Sequence, residues 1–394
     1  MCPIKTNNDA VVIIGAGFGG LSAALTLSHQ KDKPNIILID PKEKFVFTPL
    51  LYELLSHEMM SWEIAPTYVS LTQDAGINFI QDSVISINTQ DKIVQTKQGK
   101  VVSYSKLLIS TGSKINDFDI PGVSEFASQF KSLNDVKNLG SFIDEINIRD
   151  SENKDLVIVG AGSSGVELAC KVSDMTSGKI NIILLESNDI IMNGSKFFNR
   201  EIALKELKKR GVKVYLKTEV KEVKSDVVSA FSIQGLNSSH SLFKYKMLIW
   251  TAGVKPEIPE ITPQVNTERG RIIVDQYLKL IGSESVFAIG DVSSIQGKSL
   301  PQSAQVASQQ GNLVAKNIYL SLLGKSLSVF KYVDYGEMLS LGVDNASLTG
   351  LGITLSGSIA FKIRRAAYTS KFLNPSLAFR SASSWLISSL NYCD

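Results

Sequence analysis

The chain has 394 residues, too many for one hydrophobic core, so two domains and a small third segment are expected. Apolar residues make up 44% and charged residues 20%, the balance of an ordinary soluble α/β protein, and a net charge of +3 is too small for a nucleic-acid binder. Cys2, Cys170 and Cys393 lie far apart without a CxxC pair, and His29, His57 and His240 are scattered as surface or capping residues, so neither disulfides nor a metal site are expected.

The first apolar run begins at Ala10, which leaves no room for a leader in the chain as given, and no run of about 18 apolar residues could cross a bilayer. Val11 to Ile14 is a β-branched run suited to a buried parallel strand. It leads into Gly15-Ala16-Gly17-Phe18-Gly19-Gly20 and then the helical "LSAALTLSHQ". In this strand–turn–helix context Gly15 permits the tight turn, Gly17 lets the backbone approach a pyrophosphate, and Gly20 lets helix and strand pack closely. The helix N-terminus offers unpaired N–H groups and partial positive charge to phosphate. A second strand, "NIILID", ends at Asp40, 20 residues beyond Gly20, where a carboxylate can accept both hydroxyls of an adenosine ribose.

Next come "INFIQDSVISIN", "KIVQTKQG" and "VVSYS", alternating stretches that read as an antiparallel meander, and a closing strand, "KLLISTGSKI". The pattern then repeats. "DLVIVGAGSSGVELACKV" sets Gly160, Gly162 and Gly165 in a second turn 145 residues after the first, and "INIILLES" brings Glu186 21 residues beyond Gly165. A second meander begins at "VKVYLKTEVKEVKSD", and "KMLIWTAGVKP" matches the first closing strand. Two such turns imply two dinucleotides, most economically a flavin and a nicotinamide. The carboxylate of Glu186, with no arginine in "ESNDIIM", favours NADH over NADPH and leaves NADPH open.

A flavin domain interrupted in this way should resume later, and "SESVFAIGDVSSI" supplies a short strand, Val286 to Ile289, before Gly290-Asp291. Asp291 can bind the flavin's ribityl or phosphate, or cap the next helix. That helix, opening in "SLPQSAQVASQQGNLVAKN", is rich in glutamine and holds no carboxylate. Positions 305 and 309 share one face. From Gly357 the composition turns basic: five cations follow Asn345, against one acid, Asp394. Ile359, Ala360, Ile363, Ala366 and Ala367 fall at helical spacing with Lys362, Arg364 and Arg365 alongside, and Phe379, Trp385, Leu386 and Leu390 follow Asn374-Pro375. This describes an amphipathic helix in a membrane interface, or one packed on its own domain or another subunit.

These stretches, with "FTPLLYELL" and "AQVASQQG", resemble the two-dinucleotide flavoproteins of the disulfide-reductase superfamily, and most of all its type II NADH:quinone oxidoreductases. The superfamily's redox-active cysteine pair is absent, so the resemblance implies electron flow from flavin directly to an organic acceptor. It implies an α/β fold of two Rossmann-like domains. Residues 1–115 and 256–330 would bind FAD, 116–255 would bind NAD(P)H, and 331–394 would form an amphipathic membrane-associating region. Non-covalent FAD would meet Gly15, Gly17, Phe18, Gly19, Gly20, Asp40, Pro49, Leu50, Val84, Thr111, Gly112, Asp291 and Ala304. NADH would meet Gly160, Gly162, Ser163, Ser164, Gly165, Glu186, Ala252 and Gly253. The motif beginning at Ala304 would border the quinone, with Gln305 and Gln309 donating to its carbonyl oxygens without carrying charge into an apolar pocket. Glu167 would deliver a proton from a raised pKa, or else be a first-turn carboxylate favoured by the helix N-terminus.

"GEMLSLG" and the apolar loop after it look like the demethylphylloquinone reductase branch of cyanobacteria and plastids, whose acceptor is a naphthoquinone. The implied location is peripheral, on the cytoplasmic side of a plasma or thylakoid membrane, with no nucleic-acid partner and with a homodimer left open. Two rival readings use the same dinucleotide turns: a reductase of a soluble acceptor, and a flavin-binding signalling protein of the apoptosis-inducing-factor type.

Overall fold

The computed structural model describes residues 9–148, 154–234, 237–372 and 380–381. Among these, contacts divide the chain into two compact units. One comprises residues 9–46, 65–114 and 254–333; the other comprises 47–64, 115–148, 154–234, 237–253, 334–372 and 380–381.

The first unit is built on a parallel sheet of five strands, in the order Val286–Ala288, Lys106–Ile109, Val11–Ile14, Ile36–Asp40 and Asn78–Gln81. Val11–Ile14 and Ile36–Asp40 are buried along their whole length, as the unbroken apolar runs require of strands covered on both faces. The returning strand pairs with the closing strand, Val286 against Leu107, so the chain does resume the first sheet after its excursion. The expected meander is shorter than its sequence pattern. Asn78–Gln81 lies parallel to Ile36–Asp40, and only Val84–Asn88, Ile93–Thr96 and Val101–Ser103 form the antiparallel set. A four-residue edge strand with exposed ends and a half-buried middle is too short for its sequence to separate it from a meander strand.

The second unit repeats the plan with a four-stranded parallel sheet, ordered Lys213–Tyr215, Asn181–Leu185, Asp155–Val159 and Met247–Trp250. Again the first stretch of the expected meander, Lys213–Tyr215, joins the parallel sheet, and Thr218–Val223, Val227–Gln234 and Asn237–Lys244 form the antiparallel one. The apolar loop expected after "GEMLSLG" is instead a strand pair. Glu337–Ser340, Ala346–Gly350 and Ile353–Gly357 make a three-stranded antiparallel sheet, and a basic helix, Ser358–Thr369, follows. Among the described residues no helix is long and apolar enough to cross a membrane. Cys2, Cys393, Phe379, Trp385, Leu386 and Leu390 lie outside the described residues.

Candidate dinucleotide cradles and a buried acid

In the first unit the turn after Val11–Ile14 is forced into glycine. Gly15 has φ +87°, and a Cβ there would lie 2.4 Å from the Ser110 carbonyl oxygen; one at Gly20 would lie 1.9 Å from that of Gly15. Beside Gly17 there is open space, with nothing within 4 Å of where a Cβ would stand. The helix that starts there, Phe18–Ser28, has no side-chain cap at Gly17 and no acid in its first turn, so its N–H groups remain available to phosphate. Asp40 ties the turn to the second strand: Oδ2 accepts from Ala16 N (2.7 Å) and Oδ1 from Lys42 N (2.9 Å).

The second unit builds the same cradle. Gly160 has φ +101° and would press a Cβ to within 2.7 Å of Ala252 Cα; a Cβ at Gly165 would lie 2.0 Å from the Gly160 oxygen, while Gly162 faces open space. Ser163 and Ser164 open the helix Ser163–Met175, again uncapped and without a first-turn acid. Glu186 Oε2 accepts from Ala161 N (2.7 Å), and Oε1 accepts from Asn188 N (2.8 Å) and Asn188 Nδ2 (2.6 Å), which holds the carboxyl group at the strand end. Both cradles therefore fit the pyrophosphate and adenosine ribose of a dinucleotide: a glycine approach, unpaired N–H donors and a carboxylate at the end of the adjacent strand.

Two supports had gone unseen in the sequence. Ser110 Oγ donates to the Ile14 and Gly15 carbonyls (2.8 Å each), and Thr251 Oγ1 does the same for Val159 and Gly160 (2.9 Å each). A hydroxyl at the end of each closing strand thus holds its glycine turn, and the "STGS" and "TAG" phrases carry the signal. Tyr68 OH adds a bond to the Ala16 oxygen (2.9 Å).

The remaining expected flavin contacts are divided between the units. Thr111 donates to the Glu257 carbonyl, Gly112 has φ +73°, and Asp291 Oδ2 accepts from Ser113 Oγ at 2.7 Å. Val84 begins the antiparallel set, and Ala304 begins the glutamine helix, Ala304–Leu322, behind its cap Ser303. Pro49 and Leu50 belong to the second unit, as do Ala252 and Gly253. The Gln309 amide makes a two-point bond with Val333, Nε2 to O at 2.8 Å and Val333 N to Oε1 at 3.0 Å, so it clasps its own chain. Gln305 Oε1 accepts from Tyr332 OH at 3.0 Å. The small residues of this helix serve close packing: a Cβ at Gly311 would lie 2.3 Å from the Gly19 oxygen, and one at Gly19 would lie 3.1 Å from the Ala307 oxygen.

Glu167 stands beyond the first turn of its helix, which removes the reading of it as a first-turn carboxylate. It is buried, and Oε1 accepts from Ser340 N at 2.7 Å. Burial pushes its carboxyl up to about 7, against the pull of Arg364 and the Ser340 N–H toward the ionised form; Glu53 adds to the rise, and a bond from Tyr52 opposes it. Arg364 corrects the expectation of an interfacial cation. Its side chain is 1% exposed, with Nη1 2.5 Å from Glu53 Oε1, Nη2 2.7 Å from the Pro49 oxygen and Nη2 3.7 Å from Glu167 Oε1. Removing one partner of such a buried pair typically costs about 3–5 kcal/mol. One turn beyond Glu167, buried Lys171 meets Glu58 at 2.5 Å. Cys170 is buried as well, its thiol pushed up to about 12 by desolvation, and it packs as a core residue. His29 caps its helix, its ring on the Leu25 oxygen, and His57 and His240 are exposed.

Residues 9–311 match the family described as pyridine nucleotide-disulphide oxidoreductase. The chain is 34% identical to the demethylphylloquinone reductase NdbB of Synechocystis sp., across 92% of each chain. It is 30% identical to an alternative NAD(P)H-ubiquinone oxidoreductase C1, chloroplastic/mitochondrial, of Arabidopsis thaliana, across 96% of this chain and 80% of the relative. The fold is that of NDH2 from Plasmodium falciparum, solved in complex with NADH: the TM-score is 0.84 at 18% identity, covering 97% of this chain and 98% of that one.

Proposed function

Because the chain belongs to the pyridine nucleotide-disulphide oxidoreductase family and, within it, to the type II NAD(P)H:quinone oxidoreductases, we propose that it reduces a membrane naphthoquinone with NADH. It is an FAD-dependent enzyme that takes two electrons from NAD(P)H and delivers them to a quinone. The observation that carries the fuller reading is the repeated cradle, one in each unit, each with its own carboxylate.

Gly15, Gly17, Gly20 and Asp40 would hold FAD, with Thr111, Gly112, Asp291 and Ala304 along it; Gly160, Gly162, Gly165 and Glu186 would hold NADH. When bound, FAD supplies the two-electron chemistry between nicotinamide and quinone. The chain binds, orients and moves a proton. Glu186, oriented by Ala161 N, Ser187 Oγ, Asn188 N and Asn188 Nδ2, would accept from a ribose 2′-hydroxyl and repel a 2′-phosphate, which favours NADH over NADPH. Glu167, its carboxyl raised to about 7, still holds a proton in about half of the molecules at neutral pH and gives it to a quinone oxygen as charge develops there. Gln305 is the amide proposed to meet the quinone, while Gln309 positions the 332–333 segment by its bond to Val333.

A lipid-soluble acceptor calls for a membrane-facing surface. Leu351 at the hairpin tip is 81% exposed and Ile359 on the basic helix 68%; Ile353, Ile363 and the cation Lys362 are exposed too. These support peripheral docking through the hairpin and helix. NADH is a cytoplasmic reductant, so the cytoplasmic face of the membrane is expected. The naphthoquinone rests on the likeness to the Synechocystis relative.

The test is spectroscopic. Purified protein should carry the yellow flavin absorbance, bleach with NADH under anaerobic conditions, and regain colour faster with a naphthoquinone than with a benzoquinone. A colourless preparation that takes up no FAD would overturn the reading. Equal rates with both quinones would remove the naphthoquinone.

A further inference from the structure

Two buried carboxylates of the second unit share one buried cation. Arg364 reaches Glu53 directly and lies 3.7 Å from Glu167. Glu53 is fully buried, and its Oε2 and the Arg364 Nε have no hydrogen-bond partner among the described residues. If both acids ionised, the cluster would hold a net negative charge away from water, which burial disfavours. One proton must stay. Arg364 is in direct contact with Glu53 and 3.7 Å from Glu167, so the guanidinium spends its closest contact on Glu53 and pulls Glu167 toward the ionised form less than it would alone.

The other groups facing Glu167 leave this balance intact. From the Leu51–Leu55 helix comes Tyr52, whose hydroxyl desolvation holds well above its usual range; from the basic helix comes Tyr368, likewise raised by burial, its ring 4.9 Å from the guanidinium centre. On its own helix Cys170 is a neutral thiol, and the sheet strand Glu337–Ser340 contributes the Ser340 N–H.

We propose that Glu53 is a positioning residue for the proton-transfer step: by occupying Arg364 it prevents that cation from fixing Glu167 as a carboxylate, and so keeps Glu167 ready to donate. The proposal rests on Glu167 being the proton donor of the quinone reaction. Reducing a quinone with NADH consumes one proton beyond the hydride. That proton passes from the Glu167 carboxyl to a quinone oxygen, the carboxylate keeps the bonding pair, and solvent restores the proton.

The test is the pH profile of quinone reduction by the holoenzyme, with NADH-to-ferricyanide activity as the readout of flavin loading and NADH oxidation. The wild type should lose quinone activity as pH rises through about 7. Glu53→Gln frees Arg364 for Glu167 and should move that limb to lower pH, by about one unit, a tenfold change in proton affinity. Arg364→Gln should move it the opposite way, and the double variant should fall between. Glu53→Asp should restore the wild-type limb. A purely structural role would lower activity at every pH without opposite displacements. If Glu53→Gln leaves the limb in place, or displaces it upward, the proposal is overturned. If Arg364→Gln yields no holoenzyme, the Glu53→Gln and Glu53→Asp pair decides alone. Glu167→Gln separates the premise from the proposal: a limb that persists in this variant removes Glu167 as donor, whereas its loss, with no shift in Glu53→Gln, removes only the role of Glu53.

Discussion

The two glycine-turn helices are equivalent in their first turn and unlike in what their inner faces meet beyond it. Gly15, Gly17 and Gly20 correspond to Gly160, Gly162 and Gly165, each series closed by a hydroxyl, Ser110 or Thr251, and by a carboxylate, Asp40 or Glu186. Two residues past the third glycine the likeness ends. Ser22 packs beside Gly311 of the glutamine helix, whereas Glu167 enters a buried cluster with Arg364, Glu53 and Tyr52. The first helix uses that position for close approach of backbones, the second for a titrating acid. A repeated fold thus supplies the same dinucleotide cradle twice, and at this one position the second repeat carries a buried acid in place of a small residue.

That contrast can be broken most severely by exchanging its terms. Ser22→Glu buries a carboxylate where Ser22 packs against Gly311, at a cost of several kcal/mol, so soluble flavin-loaded protein should be lost on expression. Gly20→Ala and Gly165→Ala create nearly the same clash, 1.9 and 2.0 Å from a carbonyl oxygen, yet should fail differently. The first should lose flavin absorbance. The second should keep it and raise KM for NADH by at least about tenfold, roughly 1.4 kcal/mol. Gly311→Ala should lower thermal stability by about 1–3 kcal/mol through overpacking of the helix pair, measured by denaturant melts of the holoprotein.

Smaller effects sharpen the second helix's side of the comparison. The folded protein holds the Glu167 proton more tightly than the unfolded chain, about 7 against 4.5, so its stabilising contribution is complete below 4.5 and fades as pH rises through about 7. Glu167→Gln should therefore flatten the fall in stability across that window. Leu351→Glu, at the exposed hairpin tip, should weaken vesicle binding and long-chain quinone reduction with little change in NADH-to-ferricyanide activity.

The cradles were legible because their chemistry is local: glycines, strand and carboxylate follow one another within about thirty residues, as a βαβ unit requires. The sheet edges were less so, since Asn78–Gln81 and Lys213–Tyr215 are short, partly exposed strands that a sequence pattern does not separate from meander strands. The charged cluster had no local signature. Arg364 and Glu53 are 311 positions apart, and a cation at helical spacing in a basic segment reads as solvated until the fold brings its partners to it. Gln309 looked like a ligand amide for a related reason: its partner, the Val333 peptide, is a backbone group that no side-chain pattern announces.

Infrared titration of the protonated-carboxyl band tests the buried donor most directly, because it needs neither quinone nor turnover. Comparing the wild-type holoenzyme with Glu167→Gln, we predict one band, present only in the wild type, that disappears as pH rises through about 7. Identical carboxyl spectra in the two proteins above pH 4.5 would mean that Glu167 is ionised throughout, and would contradict the account.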